Sequence, residues 1–480
     1  MRRKRYWVFP TLAPPLCWRA EMHPVGSKLF PILASIMVMI LLVTTGCSRL
    51  GTPFSRERSL MTPSLVQRHV MPNGLTVYVV ESDQVPLVTM DMWVRVGSSD
   101  EPEAIAGISH YLEHMLFKGT PRLGVGVYDK RIEEIGGYLN AATSGDYTHY
   151  YMTIPSAQLD RALQDMADVL VNSSIDAGEV EKERLVILEE IRMKNDQPIG
   201  FLYDEITRRV YDSGPYENTV IGSSETVSAM TRDQLLDHYH RFYAPENMAF
   251  LVVGDVRASE ILPLVEKELG TFQRALKPHR NVEPITRFRD PVQQTWTRDW
   301  QETYFFFTLP GHELDSLERI AVDSVLEQVL GGGRSSRLVK TLREEKAIVT
   351  SISFFGPSYR YPAFWGIYGT CQPDQVNLVR QEVEKVLEEA ASNLSAEELN
   401  RAKKAILTQQ AFQTETNAGK AGTLGLSFAL LGNAELLTDY PTAVESVTLD
   451  QVRAALGALS TQPVSTFVVT PEVIGPGTLN

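Results

Sequence analysis

His110-Tyr111-Leu112-Glu113-His114 places two imidazoles and a carboxylate within five residues, in the order H-x-x-E-H. On an α-helix, residues four apart share a face. Both histidines can then grip one zinc ion while Glu113 reaches water activated by the same metal. The order inverts the commoner H-E-x-x-H arrangement. Histidine is scarce, 9 in 480 residues, which argues against two unrelated histidines on a solvated face. The spacing predicts a helix with Ile105, Ile108, Leu112, Met115 and Leu116 turned to a core. His110, Glu113, His114 and Phe117 fall on the other side, presented to a cleft.

A catalytic zinc of this kind takes three protein ligands and keeps a fourth position for water. About 75 residues on, residues 179–193 read EVEKERLVILEEIRM and favour helix. Glu183 and Glu190 lie two turns apart on one face, with Glu189 about 100° away. Glu190 is therefore the expected third ligand, and Glu183 a supporting carboxylate that orients a ligand or the substrate. By itself this segment reads as a solvated acidic face; the upstream motif gives it meaning.

The elements that must position these groups are legible as patterns. Strand-like runs at residues 75–80 and 88–96 precede the motif helix, and 138–142, 148–154 and 248–253 follow it. Residues 272–295, with Pro278, Pro284 and Pro291 among mixed charges, read as a linker between two α/β halves. The halves look like diverged repeats. Residues 109–116, SHYLEHML, match 323–330, DSVLEQVL, with Ser324 at the place of His110 and Gln328 at that of His114. Residues 187–190, ILEE, match 406–409, ILTQ, with Gln409 at the place of Glu190. The expectation is an α+β fold of two homologous α/β-sandwich domains related by duplication, the second lacking the metal ligands. The proposed division is 47–271 for the zinc-binding catalytic domain, 272–295 for the linker and 296–480 for the non-catalytic homologue.

Residues 1–46 read as a targeting segment. Six positive side chains against one acid precede the apolar stretch 29–43, which is short for a membrane span and contains Pro31. Gly46-Cys47-Ser48 then resembles a bacterial lipoprotein site with Cys47 as the lipidated terminus. Thr44 departs from the usual aliphatic, Met22 is an alternative start, and the alternatives to lipidation are an ordinary cleaved signal or an uncleaved anchor. This predicts export to a bacterial cell envelope, membrane-anchored and facing the periplasm, with the outer membrane as the finer placement. Only Cys371 then remains of the three cysteines, which excludes disulfides and thiolate metal sites. The whole chain carries −13, and removal of the basic leader leaves about −18. That balance excludes nucleic acid as a partner.

Together these residues resemble the pitrilysin/insulinase family of zinc metallopeptidases, in its shorter two-domain branch with mitochondrial processing peptidase and bacterial relatives. The resemblance runs roughly from Pro63 to Pro471. It implies His110, His114 and Glu190 as ligands of one zinc per chain, Glu113 as general base and Glu183 as supporting acid. Residues 136–143, GGYLNAAT, resemble an edge strand on which the backbone of Asn140 and Ala141 pairs with substrate. Tyr216 and Ile221-Gly222 resemble a family segment late in the first domain. In the second half, residues 331–342 followed by Arg343 resemble a segment whose arginine meets the substrate carbonyl oxygen. Thr350 stands where the family usually has a tyrosine that helps hold that carbonyl. Tyr359 and Tyr361 are the nearby phenols that could stand in. The implied function is a zinc-dependent endopeptidase acting on short or unfolded polypeptides through a metal-activated water. The alternative is a non-catalytic peptide-binding or assembly subunit. The implied assembly is a homodimer, or a heterodimer with an inactive homologue.

Overall fold

The computed structural model describes residues 65–277, 286–356 and 359–472. The leader, Cys47 and the lipid-anchor reading lie outside these residues. Among the described residues no helix is long and apolar enough to cross a membrane.

Thirteen strands are described: β1 (Gln67–Val70), β2 (Thr76–Glu81), β3 (Leu87–Val94), β4 (Tyr138–Thr143), β5 (Thr148–Pro155), β6 (Tyr211–Ser213), β7 (Met248–Gly254), β8 (Arg287–Phe288), β9 (Gln293–Arg298), β10 (Thr303–Leu309), β11 (Ser351–Phe355), β12 (Trp365–Cys371) and β13 (Ser465–Pro471). In the first half the helices are α1 (Ile108–Leu116), α2 (Val127–Glu134), α3 (Leu159–Asn172), α4 (Ala177–Asn195), α5 (Pro198–Val210), α6 (Ser224–Ala229), α7 (Arg232–Phe242) and α8 (Ala258–Leu269). The second half carries α9 (Leu317–Gly331), α10 (Val376–Asn393), α11 (Ala396–Gln413), α12 (Asn417–Leu431), α13 (Tyr440–Ser446) and α14 (Leu449–Ser460).

The duplication is written in the strand order. One sheet runs β1-β2-β7-β3-β5-β4, the other β9-β13-β10-β12-β11 when read from the matching end. Pairing directions agree step by step. β2–β7 and β9–β13 are parallel, and every later pair in both series is antiparallel. The expected strands are β2, β3, β4, β5 and β7, and the expected acidic helix is α4. Within 272–295, Phe272 is buried in the first core, Arg287 and Phe288 pair with β6, and β9 begins at Gln293.

Each sheet is apolar on both faces, so each must be covered twice. In the first, Val77, Val79, Met90, Met92, Phe250 and Val252 pack against their own half's helices. The alternate residues Tyr78, Val80, Trp93, Leu251 and Val253 pack against Ala421, Leu424, Phe428 and Ala429 of α12, from the other half. The converse holds on the second sheet, where Phe306, Phe467 and Val469 meet Phe201, Leu202, Ile206 and Val210 of α5. The two halves thus exchange equivalent helices. The approach of α12 is close: a Cβ at Gly425 would lie 2.0 Å from Trp93 Cε2.

A loop of the second half completes the join. The Arg360 guanidinium reaches Asp146 at 3.1 Å and Asp100 at 3.1 Å, and its backbone N–H donates to Asp146. Tyr216 donates its hydroxyl to Asp146 and accepts from the Tyr361 backbone N–H. Burial, partly offset by Arg360, raises the Asp100 carboxyl to about 6.

Candidate metal centre

The motif helix starts later than its pattern suggests. Ile105 closes a separate short turn, and α1 begins at Ile108 after Gly107 at φ +94°. A Cβ at Gly107 would lie 2.6 Å from the Ile221 carbonyl oxygen, so this close approach to the Ile221-Gly222 segment needs glycine. The first-turn donors of α1 are met from outside the helix. The Glu101 carboxylate accepts from the Gly107 and Ser109 N–H groups at 2.7 and 2.8 Å. Such capping satisfies donors that the helix itself cannot.

All nine residues of α1 are buried, a correction to the expected split between a core face and an open face. Ile108, Leu112, Met115 and Leu116 face the core. His110, Glu113 and His114 lie under α4 and the edge strand β4, at 6%, 3% and 9% exposure. The core of the helix was readable from periodicity. The cover on its polar side comes from segments distant in sequence.

His110, His114 and Glu190 offer ligand atoms all within 4.8 Å of one another. Glu190 Oε2 lies 4.0 Å from His110 Nε2 and 3.7 Å from His114 Nε2. Ligands of a tetrahedral zinc stand about 3.3 Å apart, so small side-chain shifts would close the set. The chemistry fits as well, since two imidazoles and one carboxylate are a recurrent donor set for catalytic zinc. Burial, with His114 and Lys194 adding to it, holds His110 well below the ordinary imidazole range. That favours the neutral ring a metal requires.

Behind the ligands a second layer fixes orientation. His114 Nδ1 lies 3.0 Å from Glu183 Oε1, which leaves Nε2 as the nitrogen facing Glu190. Glu183 is itself held by Lys118 Nζ at 2.5 Å. Burial pulls the His114 ring toward neutrality, but the Glu183 hydrogen bond and the Glu113 and Glu190 charges outweigh it and raise its pKa. Glu183 is lowered, because His114 and Lys118 outweigh its burial. Glu113 Oε2 accepts from Thr143 Oγ1 at 2.6 Å, at the end of β4. Burial raises the Glu113 carboxyl against the opposing pull of His114 and Thr143.

The substrate-facing expectations divide. β4 is the edge of its sheet. Asn140 on it is exposed, with its amide 3.3 Å from the Tyr138 hydroxyl. The Ala141 side chain is buried in the core, so only its backbone can face a ligand. Arg343 lies in a π-helical turn, Val339–Glu345, and its described hydrogen bonds go to Glu344. It is not among the groups that meet the histidines. Thr350 is exposed, its N–H on the Thr370 carbonyl. Tyr359 and Tyr361 both pack in the join between the halves. The Tyr359 ring lies 4.7 Å from that of Tyr216 at a tilt of 41°, with its hydroxyl 3.1 Å from that of Tyr203, and the Tyr361 backbone N–H donates to the Tyr216 hydroxyl.

In the second half α9 and α11 stand where α1 and α4 stand in the first. The Ser324 hydroxyl there accepts from Tyr440 at 2.7 Å, and Gln328 donates to the Gly332 carbonyl. Glu327 is retained at the place of Glu113 and accepts from the Gly356 N–H.

Comparison with known proteins distinguishes a catalytic from an inactive domain. Residues 76–224 match the family model described as insulinase (peptidase family M16), and residues 229–406 match that of the peptidase M16 inactive domain. An uncharacterized zinc protease of Mycobacterium tuberculosis is 31% identical over 413 residues, covering 85% of this chain and 93% of the relative. The chain belongs to the insulinase family of peptidases. Another member, an uncharacterized zinc protease of Bacillus subtilis, is 28% identical over 415 residues, covering 85% of this chain and 99% of its own. A crystal structure of a protease from Helicobacter pylori superposes with a TM-score of 0.78 at 24% identity, covering 85% of this chain and 99% of that one. The M16 inactive domain structure from Pseudomonas fluorescens gives 0.77 at 21%, covering 85% and 98%. At these identities the two structures share the fold.

For this insulinase-family chain the first half is thus the catalytic domain and the second the inactive one. Sequence reasoning missed Glu101, Lys118, Thr143, Lys194 and Asp204 around the site. Lys118, four residues past His114, and Lys194, four past Glu190, each carried a local signal. The others reach the site through tertiary packing.

Proposed function

We propose that the chain is a zinc-dependent endopeptidase that cleaves short or unfolded polypeptides. The observation that carries this reading is the meeting of His110, His114 and Glu190 within 4.8 Å, beside Glu113. Zinc held by the three ligands supplies the Lewis acidity that activates water and polarises a peptide carbonyl. Glu113 accepts the proton of the attacking water and delivers it to the leaving amine. Thr143 aims the carboxylate, and Glu183 with Lys118 fixes the His114 ring. The free edge of β4 at Asn140–Ala142 offers backbone donors and acceptors to an extended peptide, so recognition is of backbone more than of side chains. Arg343 remains the proposed partner of the substrate carbonyl oxygen.

A folded protein cannot present an extended strand to this edge. The test is one panel: a flexible peptide, the same sequence inside a stable domain, and that domain destabilised, each with and without chelator. Cleavage of the first and third only, abolished by chelator, is expected. Equal rates on all three would sink the preference for unfolded chains. Glu113→Gln should keep zinc and lose turnover by several orders of magnitude; retained turnover would remove Glu113 as base.

One observation favours the second reading, a peptide-binding or assembly subunit. Thr350 stands where the family pattern has a carbonyl-holding tyrosine. One zinc per chain with no cleavage of any peptide would decide for it. We further propose export as a Cys47-anchored envelope lipoprotein, and pairing with a second copy or an inactive homologue.

A further inference from the structure

Glu190 lies one turn before the end of α4. On the next turn Lys194 pairs with Asp204 of α5, the helix that the first half lends to the second sheet. We propose that the Lys194–Asp204 ion pair is a positioning device. It ties the Glu190 turn of α4 to α5 as seated on the inactive half, and so sets the zinc affinity of the His110–His114–Glu190 triad. The inference rests on the zinc reading above.

The corner between the two helices is tight. α4 ends at Asn195 and α5 starts at Pro198. A Cβ at Gly200 would lie 2.6 Å from the Lys194 carbonyl oxygen and 2.9 Å from Lys194 Cγ. The second half repeats this corner between α11 and α12. There a Cβ at Gly419 would lie 1.7 Å from the Gln413 carbonyl oxygen. The same spacing relates Asp176 to Ser395, both capping residues, then Glu190 to Gln409, Lys194 to Gln413, Gly200 to Gly419 and Asp204 to Thr423. The glycine corner is therefore common architecture that a helix pair needs in either half. The ion pair is present only in the half that has metal ligands.

Its setting suits a positioning role. The Asp204 side chain is 3% exposed and that of Lys194 16%, so solvent screens the pair little. Removing one partner strands the other charge in a poorly solvated place. α5 cannot yield readily, because Phe201, Leu202 and Ile206 are buried against the second sheet. Through this pair the inactive half braces the one metal ligand that does not come from α1. Residues that orient a ligand from outside the coordination sphere typically change metal affinity 10–100-fold when lost.

The experiment measures the zinc dissociation constant of the purified full-length chain by competition with a chromogenic chelator. Lys194→Met and Asp204→Asn should each bind zinc roughly 10–100-fold more weakly than wild type. Lys194→Arg, which keeps the charge, should recover most of the affinity. Gln413→Ala and Thr423→Ala, at the counterpart corner, should leave it unchanged. Thermal unfolding of each zinc-free variant separates the roles, since a merely structural pair would lower that midpoint and leave the dissociation constant alone. Wild-type zinc affinity in folded Lys194→Met and Asp204→Asn overturns the inference. If Asp204→Asn fails to fold, Lys194→Met, altered at the more exposed partner, decides alone. A wild-type chain that takes up no zinc overturns the metal reading itself, a distinct result from equal affinities.

Discussion

Expressing residues 65–277 alone removes α12 from the first sheet and deprives α5 of its seat. Tyr78, Val80, Trp93, Leu251 and Val253 then lose the cover that Leu424 and Phe428 supply. Full burial of a large apolar side chain contributes about 1.5–3 kcal/mol. Even at the low end, five such side chains amount to roughly 7.5 kcal/mol, within the 5–15 kcal/mol that holds a typical domain folded. Phe201, Leu202, Ile206 and Val210 of α5 are exposed at the same time. The isolated catalytic half is therefore expected to lose cooperative folding, although every proposed ligand is present in it. Circular dichroism on heating should show no sharp transition, and zinc uptake should fall well below one per chain. Co-expression with residues 286–472 should restore both, because the exchanged helices bind the halves without a covalent link. A sharp transition near that of the full chain, with one zinc bound, would refute the argument. Within the full chain, Phe428→Ala should cost about 3–5 kcal/mol. Gly425→Ala should cost about 1–3 kcal/mol, since its new methyl meets the rigid Trp93 ring.

Glu190→Gln should sharply weaken zinc binding, whereas Glu189→Gln should do little, since Glu189 is exposed and paired with Arg192; the dissociation constants of the two variants decide. Glu327 offers a pH signature. Burial pushes its carboxyl up to about 7, above the ordinary glutamate range, so its protonated form favours the folded state. That contribution is complete below about pH 4.5 and is lost as pH rises through 7. Glu327→Gln should gain about 1–2 kcal/mol on wild type above pH 7, the full linkage being discounted for partial exposure, and nothing below pH 4.5. Denaturant titrations at the two pH values check this. Cys47→Ser should move the protein from the membrane to the soluble fraction; unchanged fractionation would remove the lipid anchor.

Much of this was legible in the chain. The motif helix, α4 and the duplication rest on local periodicity and on residue types repeated in register, which is what a linear pattern can carry. β2 and β3 read as alternating runs, which suggest one covered face, whereas both faces of their sheet are covered, by helices that the pattern could not name. The exchange of α5 and α12 was invisible, since an apolar helix face does not name its partner. Glu101 and Asp204 were unreadable for the same reason. Each acts across a gap in sequence through a hydrogen bond or ion pair that only the tertiary fold creates. The place of the nearby phenols was equally unreadable. Tyr359 and Tyr361 lie near Thr350 in sequence, but the β11–β12 loop turns them into the join between halves.

The duplicated halves also act as an internal control on what the site carboxylate is for. Glu113 and Glu327 occupy matching turns of α1 and α9. Each accepts a hydrogen bond at the end of the adjacent edge strand, Glu113 from Thr143 and Glu327 from the Gly356 N–H. The histidines and the third ligand disappeared from the second half while this acceptor stayed. The carboxylate therefore has a structural duty in both halves, tethering helix to strand. In the first half catalysis is laid over that tether. A glutamine at 113 still offers an oxygen to Thr143 and keeps the tether, but it cannot take a proton. Glu113→Gln thus separates the two duties, and Glu113→Ala does not. An alanine variant that lost activity would confuse a fallen strand with a missing base.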